Sequence, residues 1–166
     1  KSLNNLHPII ASDVFLADNA TIIGDVSIGK RSSVWFNSTI RGDVNSIVIG
    51  NNVNIQDGVV VHCTYQKTNT VIGNNVSIGH NAIIHGCKIE DNVLIGMGAI
   101  IMDGALIQKN SIVAAGSVII KNTVVKSGSV FAGLPAKLIK TISQEEINVL
   151  TKNMADNYIK YSSWYL

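Results

Sequence analysis

Residues 72–84 read Ile72-Gly73-Asn74-Asn75-Val76-Ser77-Ile78-Gly79-His80-Asn81-Ala82-Ile83-Ile84. A large aliphatic stands at every sixth place, and a small residue (Val76, Ala82) follows four places later. The same step extends outward in both directions. Toward the N-terminus it takes in Ile10, Leu16, Ile22, Ile28, Val34 and Ile40, then Ile49, Ile55 and Val61. Toward the C-terminus it runs through Ile89, Ile95, Ile101, Ile107, Val113, Ile119, Val125 and Phe131. All but Phe131 are Ile, Leu or Val. A helix would repeat near 3.6 residues and a half-exposed strand at 2, so a step of six fits neither. It fits short strands joined by corners, three to a triangular coil, with successive coils stacked as parallel strands about 4.8 Å apart. Six to seven coils would make a prism on the order of 30 Å tall. Glycines following the aliphatic (Gly29, Gly50, Gly73, Gly79, Gly96) are expected at the corners, where tight backbone conformations favour them.

The composition agrees with a single β-solenoid domain. The chain has 166 residues, of which 46% are hydrophobic, 14% charged and 5% aromatic. A core with so few rings must be aliphatic, and the balance excludes a disordered tail. Mean hydropathy is +0.29, yet the longest apolar stretch, Val93 to Met102, is about half the roughly 18 residues of a spanning helix, and Gly96 and Gly98 interrupt it. No membrane partner is expected. Thirteen basic and eleven acidic residues give a net charge of +2, with no basic patch of the kind nucleic acid requires. Cys63 and Cys87 are too few for a disulfide scaffold, so reduced thiols are expected. The opening Lys1-Ser2-Leu3-Asn4-Asn5 has no apolar signal core, and a cytoplasmic location is expected.

The repeat breaks between Ile40 and Ile49, between Val61 and Ile72, and between Ile84 and Ile89. The second break inserts a loop within Cys63–Thr70, the kind of place where function is grafted on a regular scaffold. From Ser143 the period becomes helical. Ser143 and Glu146 form a capping box, and Ile147, Leu150, Met154 and Tyr158 share one face. The expected division is a β-helix over residues 1–140 and a C-terminal helix and tail over 141–166, packed on the side of the prism.

Three of four histidines fall close together. A lone histidine on such a surface is more often an ordinary polar residue, but counting coils changes that. His62 follows Val61 and His85 follows Ile84, and these two aliphatics lie one full coil apart. Their Cα atoms should therefore stack about 5 Å apart, close enough for two imidazoles to reach one ion at about 2.0–2.1 Å. His80, two places after Ile78, belongs to a neighbouring face. A trimer with parallel axes would bring it to the His62/His85 pair of the next subunit, giving three split sites. Arg41 stacks under His62, and Asp57 stacks under His80. Arg41 and Asp57 are then expected to pair across the interface with Asp43 close by, a device for register and orientation.

The segments Arg41-Gly42-Asp43, Asn54-Ile55-Gln56-Asp57, His62, Gly79-His80 and His85-Gly86-Cys87 resemble the gamma-class carbonic anhydrases and their relatives. Gly96-Met97-Gly98-Ala99 and Gly133-Leu134-Pro135-Ala136-Lys137 match that group too. The resemblance implies a left-handed parallel β-helix and a homotrimer with zinc at each subunit interface, bound by His62, His80 and His85. It implies that Gln56 lies near the metal-held solvent, that Arg41, Asp43 and Asp57 form the interface polar network, and that Tyr158 approaches the site. Three neutral imidazoles leave a tetrahedral metal one open position. Zinc lowers the pKa of water there to about 7, supplying hydroxide that converts carbon dioxide to bicarbonate. Iron or cobalt also suit nitrogen ligands.

The chain departs from the family's enzyme type in its proton-relay acids. Val44 stands where that type carries a glutamate, and the loop from Thr64 to Thr70 holds Tyr65, Gln66 and Lys67 but no carboxylate. Weak turnover is the expectation. Two other readings remain. One is an acyltransferase using coenzyme A thioesters, which would need only one histidine as general base. The other is a non-catalytic, metal-binding assembly subunit. Cys63 and Cys87 are expected as small buried hydrophobes. Trp35, Phe36 and Trp164 are expected to pack between subunits or under the helix, and His7 to be structural or exposed.

Overall fold

In the computed structural model, which describes residues 1–165, the sixth-residue aliphatics line up in three vertical files. Ile22, Ile40, Val61, Ile84, Ile101 and Ile119 pair coil to coil on the first face. Ile10, Ile28, Ile49, Ile72, Ile89, Ile107 and Val125 do so on the second. Leu16, Val34, Ile55, Ile78, Ile95, Val113 and Phe131 do so on the third. All these pairings are parallel, and the whole is a left-handed β-helix. The files meet on the prism axis, where Ile40, Ile55, Val61, Ile78, Ile84, Ile95 and Ile101 are all fully buried. The small residues four places on, among them Val59, Val76, Ala82 and Ala99, fill the corners of the same core.

The glycines after the aliphatics serve a different purpose from the one expected. Gly50, Gly73 and Gly96 do not take positive φ. They sit where coils approach most closely: a Cβ on Gly50 would lie 2.7 Å from the Gly73 carbonyl, and one on Gly96 would run into the Ala114–Ala115 backbone. The left-handed conformation falls two places later. It is taken by Asn52, Asn75, Asn92 and Asn110 along one corner, and by Gly98, Gly104 and Gly116 elsewhere. Asparagine tolerates that conformation, and here its amide is used as well. Asn52 donates to Asn75 (2.9 Å), Asn75 to Asn92 (3.0 Å) and Asn92 to Asn110 (3.2 Å).

The breaks in the repeat become local departures that leave the stack intact. The strand Thr39–Ile49 bends from the first face to the second, with a register shift against Thr21–Ile28, and Ile47 is buried beside the regular file. The insertion after His62 is a loop closed by a Thr64–Thr68 bridge. At the top, Ser129–Gly133 turns back into an antiparallel strand, Ala136–Thr141, which covers the last coil of the third face.

Helix α1, Gln144–Ser162, begins with the expected capping box and descends beside the asparagine corner. Gln144 accepts from Asn110 near the top, and Tyr158 approaches His80 lower down. Its buried residues are Ile147, Thr151 and Ala155, whereas Leu150 is 43% exposed. The expected stripe through Leu150 is thus rotated. The helix lies against a file of amides rather than an aliphatic face, and small residues permit that approach. Among the described residues no helix is long and apolar enough to cross a membrane. The two kinds of glycine make separable predictions for urea denaturation. Gly98→Ala costs about 1–2 kcal/mol through its left-handed backbone, and Gly98→Asn restores most of it. Gly96→Ala costs about 1–3 kcal/mol by overpacking, and Gly96→Asn restores nothing.

Candidate functional site

His62 and His85 are cross-strand partners in adjacent coils, as counting predicts. Their rings lie 5.1 Å apart, inclined at 63°. His62 donates its Nε2–H to Asp43 Oδ1 at 2.9 Å, and His85 Nδ1 lies 3.1 Å from Asp103 Oδ2. A ring nitrogen that donates to a carboxylate leaves the other as an acceptor. Those two remaining nitrogens, His62 Nδ1 and His85 Nε2, face each other at 3.2 Å. Two lone pairs so placed repel unless a proton or a cation lies between them. A tetrahedral ion with nitrogen bonds of about 2.0–2.1 Å separates its ligands by about 3.3–3.4 Å, so the pair fits such an ion closely.

The supporting carboxylates stay ionised at neutral pH. Burial pushes the Asp43 carboxyl up, but hydrogen bonds from His62 and Arg41 outweigh it, and the net shift is downward. Asp103 is also opposed by burial, yet hydrogen bonds from the Thr64 and Thr68 hydroxyls and the neighbouring His85 imidazole bring it down to about 2. Thr64 and Thr68 donate to its Oδ1 at 2.6 and 2.8 Å. Thr70, fully buried, donates to the His62 carbonyl at 2.6 Å and accepts from the Gly86 amide at 3.0 Å. Asp103 was not among the residues singled out from sequence. The signal was present, because Asp103 follows Ile101 by two places and Ile101 lies one coil above Ile84.

His80 stands on the third face with its own partners. Asp57, one coil below, holds its Nδ1 at 2.8 Å, and the Tyr158 hydroxyl lies 3.5 Å from its Nε2. Burial and the nearby Asp57 push the Tyr158 hydroxyl up to about 12, so it remains a donor. Gln56, next to Asp57 in sequence, is buried and donates to Asn54 Oδ1 at 2.9 Å, while Asn54 donates to Ser77 at 2.7 Å. A cleft of about 250 Å³ opens here among Asp57, His80, Trp35, Phe36, Tyr158 and Trp164. Trp35 is buried under the helix, with its ring 5.3 Å from Tyr158 and 5.0 Å from Phe15. Trp164, by contrast, is 66% exposed.

One chain therefore carries two separate groups, His62 and His85 with Arg41 and Asp43, and His80 with Asp57 and Tyr158, whereas the Gln56 amide is turned to Asn54. Among the described residues no three metal-ligating side chains converge. Within the chain Arg41 pairs with Asp43, and Asp57 with His80. Cys63 and Cys87 are buried in the aliphatic core, and burial raises both thiols, Cys87 to about 12. His7 stands apart, hydrogen-bonded to Ser2 at 2.7 Å.

Comparison with known proteins bears on the fold and the family. The family model "Bacterial transferase hexapeptide (six repeats)" matches residues 7–42, 69–102 and 86–121. The "Probable carbonic anhydrase" of Methanocaldococcus jannaschii is 49% identical over 93% of this chain and 96% of its own length. "Gamma carbonic anhydrase 2, mitochondrial" of Arabidopsis thaliana is 46% identical over 92% of this chain, which spans 56% of that longer protein. The crystal structure of a hexapeptide transferase family protein from Anaplasma phagocytophilum superposes with a TM-score of 0.93 at 45% identity, covering 99% of this chain and 96% of that one. With nearly half of its residues shared over almost the full length of the archaeal relative, the chain belongs to the gamma carbonic anhydrase-like family of hexapeptide-repeat proteins.

Proposed function

We propose that this protein is a carbonic anhydrase-like metalloprotein, hydrating carbon dioxide to bicarbonate at sites shared between the subunits of a homotrimer. The observation that carries the reading is the pair of facing nitrogens on His62 and His85, 3.2 Å apart, each ring anchored by a carboxylate on its far side. His80 of a neighbouring subunit supplies the third nitrogen, its Nε2, because Asp57 occupies Nδ1. Such a three-nitrogen set suits zinc, with iron or cobalt as alternatives. When bound, a zinc ion there acidifies water in its open position to a pKa of about 7.

The chain's own residues set the conditions for that chemistry. Asp43, Asp103 and Asp57 fix the three imidazoles in the tautomers that leave a lone pair inward, the usual work of carboxylates behind metal ligands. Gln56 gives one amide N–H to Asn54, and its Oε1 would be free to accept a hydrogen bond from water at the site and orient it. The Tyr158 hydroxyl, 3.5 Å from His80 Nε2 in the single chain, would give up that lone pair to a metal and, with Trp35 and Phe36, lines that side of the site. Arg41, 42% exposed and already paired with Asp43, orients the interface more than it strengthens it. Val44 packs against the core, and the loop between Thr64 and Thr70 offers Tyr65, Gln66 and Lys67. No carboxylate stands in either place to carry the released proton. Solvent buffer must then do so, which makes turnover low. A cytoplasmic setting is consistent with two buried free thiols.

A second reading, acyl transfer from a coenzyme A thioester, is favoured by the likeness to the Anaplasma hexapeptide transferase family protein. Metal analysis with stopped-flow hydration separates the two. The expected result is about one metal per chain and a hydration rate that rises several-fold with buffer concentration, as a proton-transfer limit requires. His85→Ala removes both metal and activity. Metal-free protein that hydrolyses acetyl-coenzyme A would establish the transferase instead. The split site has its own test. Trimers assembled from equal amounts of His80→Ala chains and His62→Ala/His85→Ala chains regain metal at about a quarter of their sites, because only one interface combination in four is complete. No recovery in the mixture would exclude a shared site.

A further inference from the structure

The insertion that interrupts the repeat after His62 is joined to the histidine pair through a single side chain. Asp103 projects from the coil above His85. Its Oδ2 lies 3.1 Å from His85 Nδ1, and its Oδ1 accepts from both Thr64 and Thr68. Those two threonines are the half-buried feet of the loop, and between them Tyr65, Gln66 and Lys67 are exposed. Apart from the Asp103 contacts and a Gln66–Tyr65 side-chain bond at its tip, the hydrogen bonds that close the loop among the described residues are long. The Lys67 and Thr68 amides donate to the Thr64 carbonyl at 3.2 Å, and the Thr64 amide donates to the Thr68 hydroxyl at 3.3 Å. Gly86, directly after His85, takes φ +55, and a Cβ there would strike both Thr68 Oγ1 and Asp103 Oδ1. The strand end is thus bare of side chain at the point where the loop docks.

We infer that Asp103 is a positioning residue that latches the 64–68 loop to His85, so that occupancy of His85 and closure of the loop favour each other. The carboxylate has two oxygens with two different tasks. One holds the imidazole in the Nδ1–H form, with Nε2 directed toward His62. The other gathers two hydroxyls that would otherwise be free to turn to solvent. Drawing His85 toward an ion orients Asp103 and so strengthens the hold on both threonines. By linkage, a closed loop then raises affinity at His85 by the same factor. The metal part of this inference rests on the function proposed above, whereas the tautomer and the latch belong to the protein without metal.

The test uses the full chain, first metal-free and then with zinc. Ring-nitrogen NMR reads the His85 tautomer, and amide hydrogen exchange at Lys67 and Thr68 reads loop closure. Wild type should show His85 as the Nδ1–H form. Thr64→Val/Thr68→Val should speed exchange at both amides about tenfold or more while leaving that tautomer in place. Asp103→Asn should change both readouts and weaken zinc binding by about 10–100-fold. Zinc should slow exchange at Lys67 and Thr68 in wild type, and this response should vanish in the double valine variant. Asp103→Asn with wild-type tautomer and exchange overturns the latch, as does a double valine variant whose loop exchanges no faster. If wild type binds no zinc while the metal-free effects appear, the metal reading fails and the latch stands.

Discussion

The vertical register of the coils is the constraint on which everything else in this protein depends. Each backbone group bonds to the coil above or below, so a residue's place within one coil fixes its place in every other. The three aliphatic files are the direct consequence. They bury one Ile, Leu or Val per strand without requiring large rings, and this is how so small a domain fills its core. Close stacking leaves some sites where a Cβ does not fit, and Gly50, Gly73 and Gly96 occupy these. It also turns repeated polar residues into ladders. The amides of Asn52, Asn75, Asn92 and Asn110 bond in series because the coil spacing matches the reach of an asparagine side chain.

The same register builds the site. His62 and His85 come together because equivalent places in adjacent coils are neighbours, and Asp57 lies beneath His80 for the same reason. Each imidazole has its own carboxylate on its own chain, so ring orientation is settled before any partner arrives. That matters for assembly. In the trimer proposed above, a site divided between chains would demand that each half hold its geometry alone, since an imidazole free to rotate would have to be ordered at the moment of association. Asp103 does more than orient, because its second oxygen gathers the long insertion that follows His62.

The helix links the far end of the chain to the lower coils. Its start is held near the top by Asn110, and its far end delivers Tyr158 to His80 and Tyr165 to Phe15 and Trp35. Nearly all of the chain's aromatic packing therefore lies at one place, between the helix end and the third face. An otherwise aliphatic protein has a ring-walled cleft beside a candidate ligand.

The sequence alone determined a three-faced stack of parallel coils and the stacking of His62 on His85, because with an aliphatic period of six positions follow by counting; its left hand came from the family resemblance, not from the period. It also placed Asp57 under His80 and the start of the helix at Ser143, both being short-range consequences of register and capping. Tertiary structure decided what counting could not reach. Side-chain direction gave Arg41 to Asp43 within the same chain and committed Asp57 to His80. Surface relief decided which stripe of the helix is buried, since a file of amides accepts Thr151 and Ala155 more closely than Leu150. The path of an irregular loop decided that Thr64 and Thr68 return to Asp103. A repeat specifies its own copies, but a loop has no period, and its contacts exist only once the chain has closed around them.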